Sequence, residues 1–231
     1  MRQLPLGIVL PDSTTFDTFF TGPNEEIVAT LRQHIGQNDS GLFALYGGTG
    51  SGKTHLLQAA CHLAADLQLS PVYLSFATTE SLQPEALNGL EHLDLIAIDD
   101  LHRVAGSDQW EHALFHLVNA AREQSTQIVV AASNTPEALG IRLPDLRSRL
   151  DAGLVYRLRL LDDSARLSAL QLRARNRGLE LSDEVGCFLL SRYPRDLGVL
   201  FDLLNQLDEA SLVEQRRLTI PFVRQALNQL H

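Results

Sequence analysis

Between Gly47 and Thr54 the sequence runs GGTGSGKT, with Gly47, Gly52, Lys53 and Thr54 at the G-x-x-x-x-G-K-[ST] spacing. Residues of these types at this spacing hold phosphate. Glycines let successive backbone N–H groups turn toward one anion, and a following helix presents its positive end to it. Gly47, Gly48, Thr49, Gly50, Ser51 and Gly52 would form the cradle, with His55 just beyond it. Lys53 would reach the β- and γ-phosphates, and the Thr54 hydroxyl would ligate Mg2+. Among the 19 Lys and Arg residues of the chain, Lys53 is the only lysine. A compact ammonium on a thin stem enters such a cradle where a planar guanidinium fits less well.

A second constellation ends the apolar run Leu93–Ile98, at Asp99 and Asp100. At a strand end, the first carboxylate of such a pair suits water-mediated binding of Mg2+, and the second suits orienting or deprotonating an attacking water. Downstream of the phosphate loop, the pair implies ADP or ATP with Mg2+ as the cofactor. Asn134 closes another apolar run, Gln127–Ala132, at the sheet edge where open α/β sheets bind ligands. It would touch a γ-phosphate or the lytic water, or else serve as a turn residue before Pro136.

To position these groups the chain must place short strands beside amphipathic helices. Strand-like runs cover Leu42–Tyr46, Val72–Phe76, Leu93–Ile98, Gln127–Ala132 and Leu154–Leu160, the last alternating apolar and charged residues. Helical periods follow the phosphate loop (Leu56, Leu57, Ala60, Leu63, Ala64, Leu67) and run through Asp108–Gln124, with short helices over Pro23–Ile35, Leu82–Leu90 and Leu143–Leu150. Beyond Leu161 the pattern is helical only. Asp162 or Asp163 caps a helix stopped by Gly178, Ser182 caps a second ended by Pro194, a third covers Leu197–Leu212, and Thr219 opens a fourth. Alternating βα units imply a parallel five-stranded sheet flanked by helices, followed by a small all-α lid. Residues 1–22, with Pro5 and Pro11, read as an extended arm laid on the domain or free in solvent. Residues 23–161 read as the α/β nucleotide-binding domain and 162–231 as the lid.

Composition narrows the function classes. A net charge of −9 weighs against a chain that binds nucleic acid with its whole surface, which needs clustered cations. Local patches remain, because arginines crowd the interval from Arg142 to Arg177; these suit interfaces, solvated faces or weak DNA contact. No apolar run approaches a membrane span, and the N-terminus lacks the pattern of a signal peptide, so a cytoplasmic location is expected. Cys61 and Cys187 lack C-x-x-C spacing and are expected to be buried reduced thiols.

With phosphate loop, acidic strand end, Asn134 and helical lid in this order, the chain resembles the AAA+ ATPases. Within them GGTGSGKTHLLQA, DLIAIDDLHRVAG and the TTFDTFF arm are similar to the DnaA-related replication proteins. LPDLRSRLDAGLVYRL, ALQLRARNRGLEL and RRLTIPFVRQAL resemble a regulatory branch of that family rather than the initiator. The regulator is expected because the chain stops after the lid, leaving no room for a helix-turn-helix domain, and lacks the initiator's N-terminal domain. Residues 77–92 are also too short to hold extra helices that grip single strands.

The resemblance implies roles. Gln3, Leu4, Pro5 and Leu6 are similar to a motif that enters the pocket of the DNA polymerase sliding clamp, departing from the usual pattern at Pro5 and Gly7; without the resemblance they read as a disordered arm, although the alternation of Leu4, Leu6 and Ile8 also suits an edge strand or a short linear motif. Arg149 falls at the arginine-finger position, offered to a neighbouring subunit's nucleotide, the alternative being a surface ion pair. Gly198 stands where the family carries a lid arginine that senses the γ-phosphate. Either Arg195 substitutes, or the chain holds ADP as a structural ligand and its own hydrolysis is weak or absent. The implied partners are the initiator DnaA, the clamp and a second copy of the chain. An autonomous motor-like ATPase using Asp100 and Asn134 is the competing class, and a small-molecule kinase leaves finger, lid and arm unexplained.

Overall fold

Strands β1 (Leu42–Tyr46), β2 (Pro71–Ser75), β3 (Leu95–Asp99), β4 (Gln127–Ala132) and β5 (Leu154–Arg157) pair in parallel, in the order β2-β3-β4-β1-β5. The computed structural model describes residues 14–37, 41–77, 82–214 and 216–228. The inner strands β3, β4 and most of β1 are buried on both faces, which is why their sequences are near-continuous apolar runs. Strand alternation sorts these side chains into two cores. Tyr46, Ile96, Ile98, Ile128 and Val130 pack with Leu114 and Leu117 of helix α3 (Asp108–Glu123) and with Leu146 and Leu150 of α4 (Pro144–Asp151). Phe43, Leu45, Leu95, Ala97 and Val129 pack with Val28 and Leu31 of α1 (Glu25–His34) and with Leu56, Leu57 and Ala60 of α2 (Lys53–Asp66).

Three segments differ from expectation. The last strand stops at Arg157, and the alternation before it does not sort buried from exposed, since Leu154 and Val155 are 45% and 41% exposed. Among the described residues β5 is an edge strand, paired only with β1. The ladder ends where the buried Asn24 side chain takes over both backbone groups of Arg159, accepting from its N–H (2.8 Å) and donating to its carbonyl (2.9 Å). The short helix expected over Leu82–Leu90 is two 3-10 turns, Pro84–Leu87 and Leu90–His92, divided at Gly89 in the left-handed region (φ 86°). The end of the arm, from Thr14 to Phe20, is turned rather than extended. Thr18 Oγ1 donates to Thr15 O (3.0 Å), Phe19 N–H donates to Phe16 O (3.2 Å), and Phe16 is buried against α1 and α2.

The chain divides into two units at Leu160/Leu161. The second holds helices α5 (Asp163–Arg175), α6 (Asp183–Arg192), α7 (Leu197–Glu214) and α8 (Ile220–Asn228). Asp162 caps α5 by accepting from Ala165 N–H (2.8 Å), and Ser182 caps α6 by accepting from Val185 N–H (3.4 Å). Leu170, Leu189, Leu200, Leu204 and Phe222 form their shared core. The expectation of two buried thiols holds for Cys61 alone. Cys187 is exposed, because the buried side of α6 is set by Val185, Gly186, Leu189 and Leu190.

Candidate nucleotide site and the opposite sheet edge

The turn that follows β1 is built by its glycines. Gly50 and Gly52 have φ of 76° and 92°, which L side chains rarely adopt, and α2 starts directly from Gly52. Ser51 is buried and its hydroxyl oxygen has no hydrogen-bond partner among the described residues. Lys53 Nζ donates to the loop carbonyls of Gly47 (2.7 Å) and Gly48 (3.0 Å), so its ammonium lies in the mouth of the cradle. Burial lowers the Lys53 pKa, and the nearby Asp99 and Asp100 carboxylates oppose that shift.

β4 separates β1 from β3, placing Asp99 about 10 Å from the loop's own strand, two strand spacings away. Thr54, one residue into α2, closes that gap by donating its hydroxyl to Asp99 Oδ2 at 2.6 Å. Tyr73 OH donates to the same oxygen (3.0 Å), and Asp100 N–H donates to Asp99 Oδ1 (2.9 Å). Asp99 is 1% exposed; burial raises its pKa, Thr54's hydrogen bond opposes the rise and repulsion from Asp100 adds to it. Asp100 sits in the left-handed region (φ 57°) and accepts from Ser75 Oγ at 3.1 Å.

An orphaned buried hydroxyl, a lysine whose hydrogen bonds among the described residues go to loop carbonyls, and a threonine–aspartate pair fit the phosphates of a nucleotide with Mg2+. No group of three or more His, Cys, Asp or Glu among the described residues could hold a metal by itself. A cation here would therefore depend on the nucleotide's own oxygens, as Mg2+ sites commonly do.

The sequence reading brought Gly47 to His55, Asp99, Asp100 and Asn134 to one sheet edge. The phosphate loop, Asp99 and Asp100 meet in the contacts above. Asn134 follows the end of β4, whose Ala132 carbonyl accepts from Gly47 N–H (3.2 Å), and it is exposed. His55 contacts the turned N-terminal segment: its Nε2 lies 2.8 Å from Thr15 O, and Phe19 meets its ring edge-on at 5.2 Å. Ser75 and Tyr73 were missed. Ser75 ends β2 in register with Asp99, so the argument that singled out Asn134 at a strand end applies equally to it.

Arg149 is elsewhere. In the last turn of α4, it lines a cavity of about 490 Å³ with Arg122, Gly41, Leu42, Thr126 and Gly153, residues that precede or begin β1, β4 and β5. The phosphate loop leaves the other end of β1, about 16 Å away along five residues of strand. Arg195 and Gly198 belong to the second unit, both exposed, with Arg195 Nη1 3.1 Å from Asp163 Oδ2. Gln3, Leu4, Pro5 and Leu6 lie outside the described residues.

Residues 10–157 match the family model of the bacterial DnaA ATPase domain, and residues 163–227 match that of the Hda lid domain. Among solved structures, domain III of the Thermotoga maritima replication initiation protein DnaA is similar at 22% identity and a TM-score of 0.77, over 95% of this chain and 98% of that one. A replication initiator DnaA bound to AMPPCP and single-stranded DNA aligns at 25% identity and TM-score 0.70, over 90% of this chain and 70% of that one. The Thermotoga maritima RuvB Holliday junction branch migration motor shares the fold at 17% identity and TM-score 0.66, over 94% and 74% of the two chains.

Proposed function

The chain belongs to the bacterial DnaA ATPase-domain family of AAA+ proteins, and from that membership we propose that it is a nucleotide-bound regulator of replication initiation. It holds ADP or ATP with Mg2+ between the phosphate loop, Thr54 and Asp99. It docks on ATP-loaded initiator DnaA and promotes hydrolysis there, converting the initiator to its ADP form and preventing a second round of initiation. Gln3–Leu6 tethers it to the sliding clamp on replicated DNA, in the cytoplasm at the replisome.

The observation that carries this reading is the position of Arg149. At the edge of the sheet opposite its own phosphate loop it is out of reach of its own γ-phosphate, but open to a nucleotide presented by a neighbour. An arginine supplied in trans to phosphoryl transfer contributes about 10³ to 10⁵ in rate. The match of residues 163–227 to the Hda lid supports the regulator over the initiator.

A second reading has an observation of its own. Asp100, held by Ser75, stands beside Asp99 with Asn134 at the next strand end, which is the equipment of an autonomous ATPase. One experiment separates them: the fate of labelled ATP bound to purified DnaA, with clamp-loaded DNA and this protein as intact chain, Gln3→Ala/Leu4→Ala or Arg149→Ala. Hydrolysis that needs both the arm and Arg149 establishes the regulator. Stable initiator ATP together with consumption of free ATP by this chain alone establishes the autonomous ATPase.

A further inference from the structure

Glu111, in the first turn of α3, is 1% exposed and has no cationic partner among the described residues. Its two oxygens are saturated by backbone donors instead. Oε1 accepts from Gly106 N–H (2.6 Å) and Oε2 from Leu143 N–H (2.8 Å), while Arg142 N–H bridges both (3.2 and 2.9 Å). A buried carboxylate is retained only with such partners, and bonds of this charge-assisted kind are shorter and stronger than neutral ones. Gly106 closes the turn that leaves Asp100, and Leu143 is the cap residue of α4, which makes no side-chain cap bond of its own.

The start of α4 is therefore held from outside, by a residue of α3. Leu146 and Leu150 pack the helix against the core, and the directed hydrogen bonds to Glu111 fix the position of its first residues. From Leu143 to Arg149 the rise is about 9 Å of helix, so a slip at the clasp is carried to the guanidinium.

We propose that Glu111 is a positioning residue for Arg149, clasping the start of α4 to the turn that follows the acidic strand end so that the guanidinium is set for a nucleotide on a partner. The role in transfer rests on the trans reading of Arg149; the clasp itself does not. Glu111→Gln keeps size and one acceptor but turns an NH2 toward backbone donors. Glu111→Asp keeps the charge and shortens the reach by one methylene.

In the DnaA-bound ATP assay, Glu111→Gln is expected to lower the maximal rate at least tenfold, with Glu111→Asp intermediate. The concentration giving half the effect and the affinity for fluorescent ADP should stay unchanged. Glu111→Gln should cost nothing more in an Arg149→Ala background. An unchanged maximal rate, or an equal further loss in the double variant, overturns the proposal. Amide exchange tests the clasp without any partner: faster exchange confined to residues 106, 142, 143 and 145–150 in Glu111→Gln supports it, and exchange unchanged there or raised throughout the α/β unit overturns it. If Arg149→Ala hydrolyses initiator ATP normally while those amides respond, the trans reading fails and the clasp stands.

Discussion

Gly48 and Gly52, both in the phosphate loop, answer to different demands. A Cβ on Gly52 would be strained at φ 92° and would lie 2.5 Å from the Phe19 ring. Gly48 has nothing within 4 Å of the same position. Gly52→Ala should therefore cost about 1–2 kcal/mol of stability from the backbone alone, more with the ring contact, and weaken nucleotide binding as well. Gly48→Ala should leave the melting temperature unchanged, since its methyl meets no protein atom within 4 Å, and any loss should appear in nucleotide binding only. Melting curves and fluorescent-ADP titrations of both variants check this. The loop was legible from residue types alone, because its geometry is local: backbone N–H groups a few residues apart surround one anion. Tyr73 and Glu111 were not, because each acts on a residue brought to it by strand pairing or loop packing.

At the scale of elements, helical period decides the chemistry of the two thiols. α2 turns Cys61 into the core beside Leu57 and Ala64, and burial pushes its pKa up to about 12. Cys187 lies on the exposed side of α6. A thiol reagent at neutral pH should modify Cys187 in the native protein and reach Cys61 only on unfolding, as mass spectrometry of the labelled peptides would show. Tyr46 and Tyr73 are shifted upward as well, burial being the largest cause for both. All three groups are held neutral in the folded state. Their contribution is fully present below their unfolded pKa values and is lost as pH rises toward the folded ones, which predicts alkaline destabilisation. The apolar stripe of α3 and the caps of α5 and α6 followed the expected pattern, whereas β5 and the turns around Gly89 did not. Caps and stripes are properties of a helix by itself; the extent of an edge strand depends on what competes for its backbone, here Asn24.

For the molecule as a whole, the length of a strand separates the phosphate loop from Arg149. The residues suited to a nucleotide stand at the ends of β1 and β3, and Arg149 at the beginnings of β1, β4 and β5. Saturating ADP, at a hundred times its Kd, should stabilise the protein by about 2.7 kcal/mol. Arg149→Ala should show the same stabilisation, since it lies about 16 Å from the loop along β1, while Thr54→Val should lose the Mg2+-dependent part. Denaturant melts with and without ADP and Mg2+ measure both. Among the described residues no helix is long and apolar enough to cross a membrane.

The sequence by itself determined the phosphate-loop turn, the succession of βα units, the helical second unit and the family, all carried by spacings within one element or by runs of residue type. Only the tertiary structure decided which strand lies beside which, and with it that Thr54 meets Asp99 across β4, that Ser75 reaches Asp100, and that Arg149 stands at the far edge with Glu111 holding its helix. The reason is physical. Local patterns record the period of a helix or strand and the chemistry of a turn, but the order of parallel strands is chosen by how two cores bury their apolar faces together, and no single segment carries that choice.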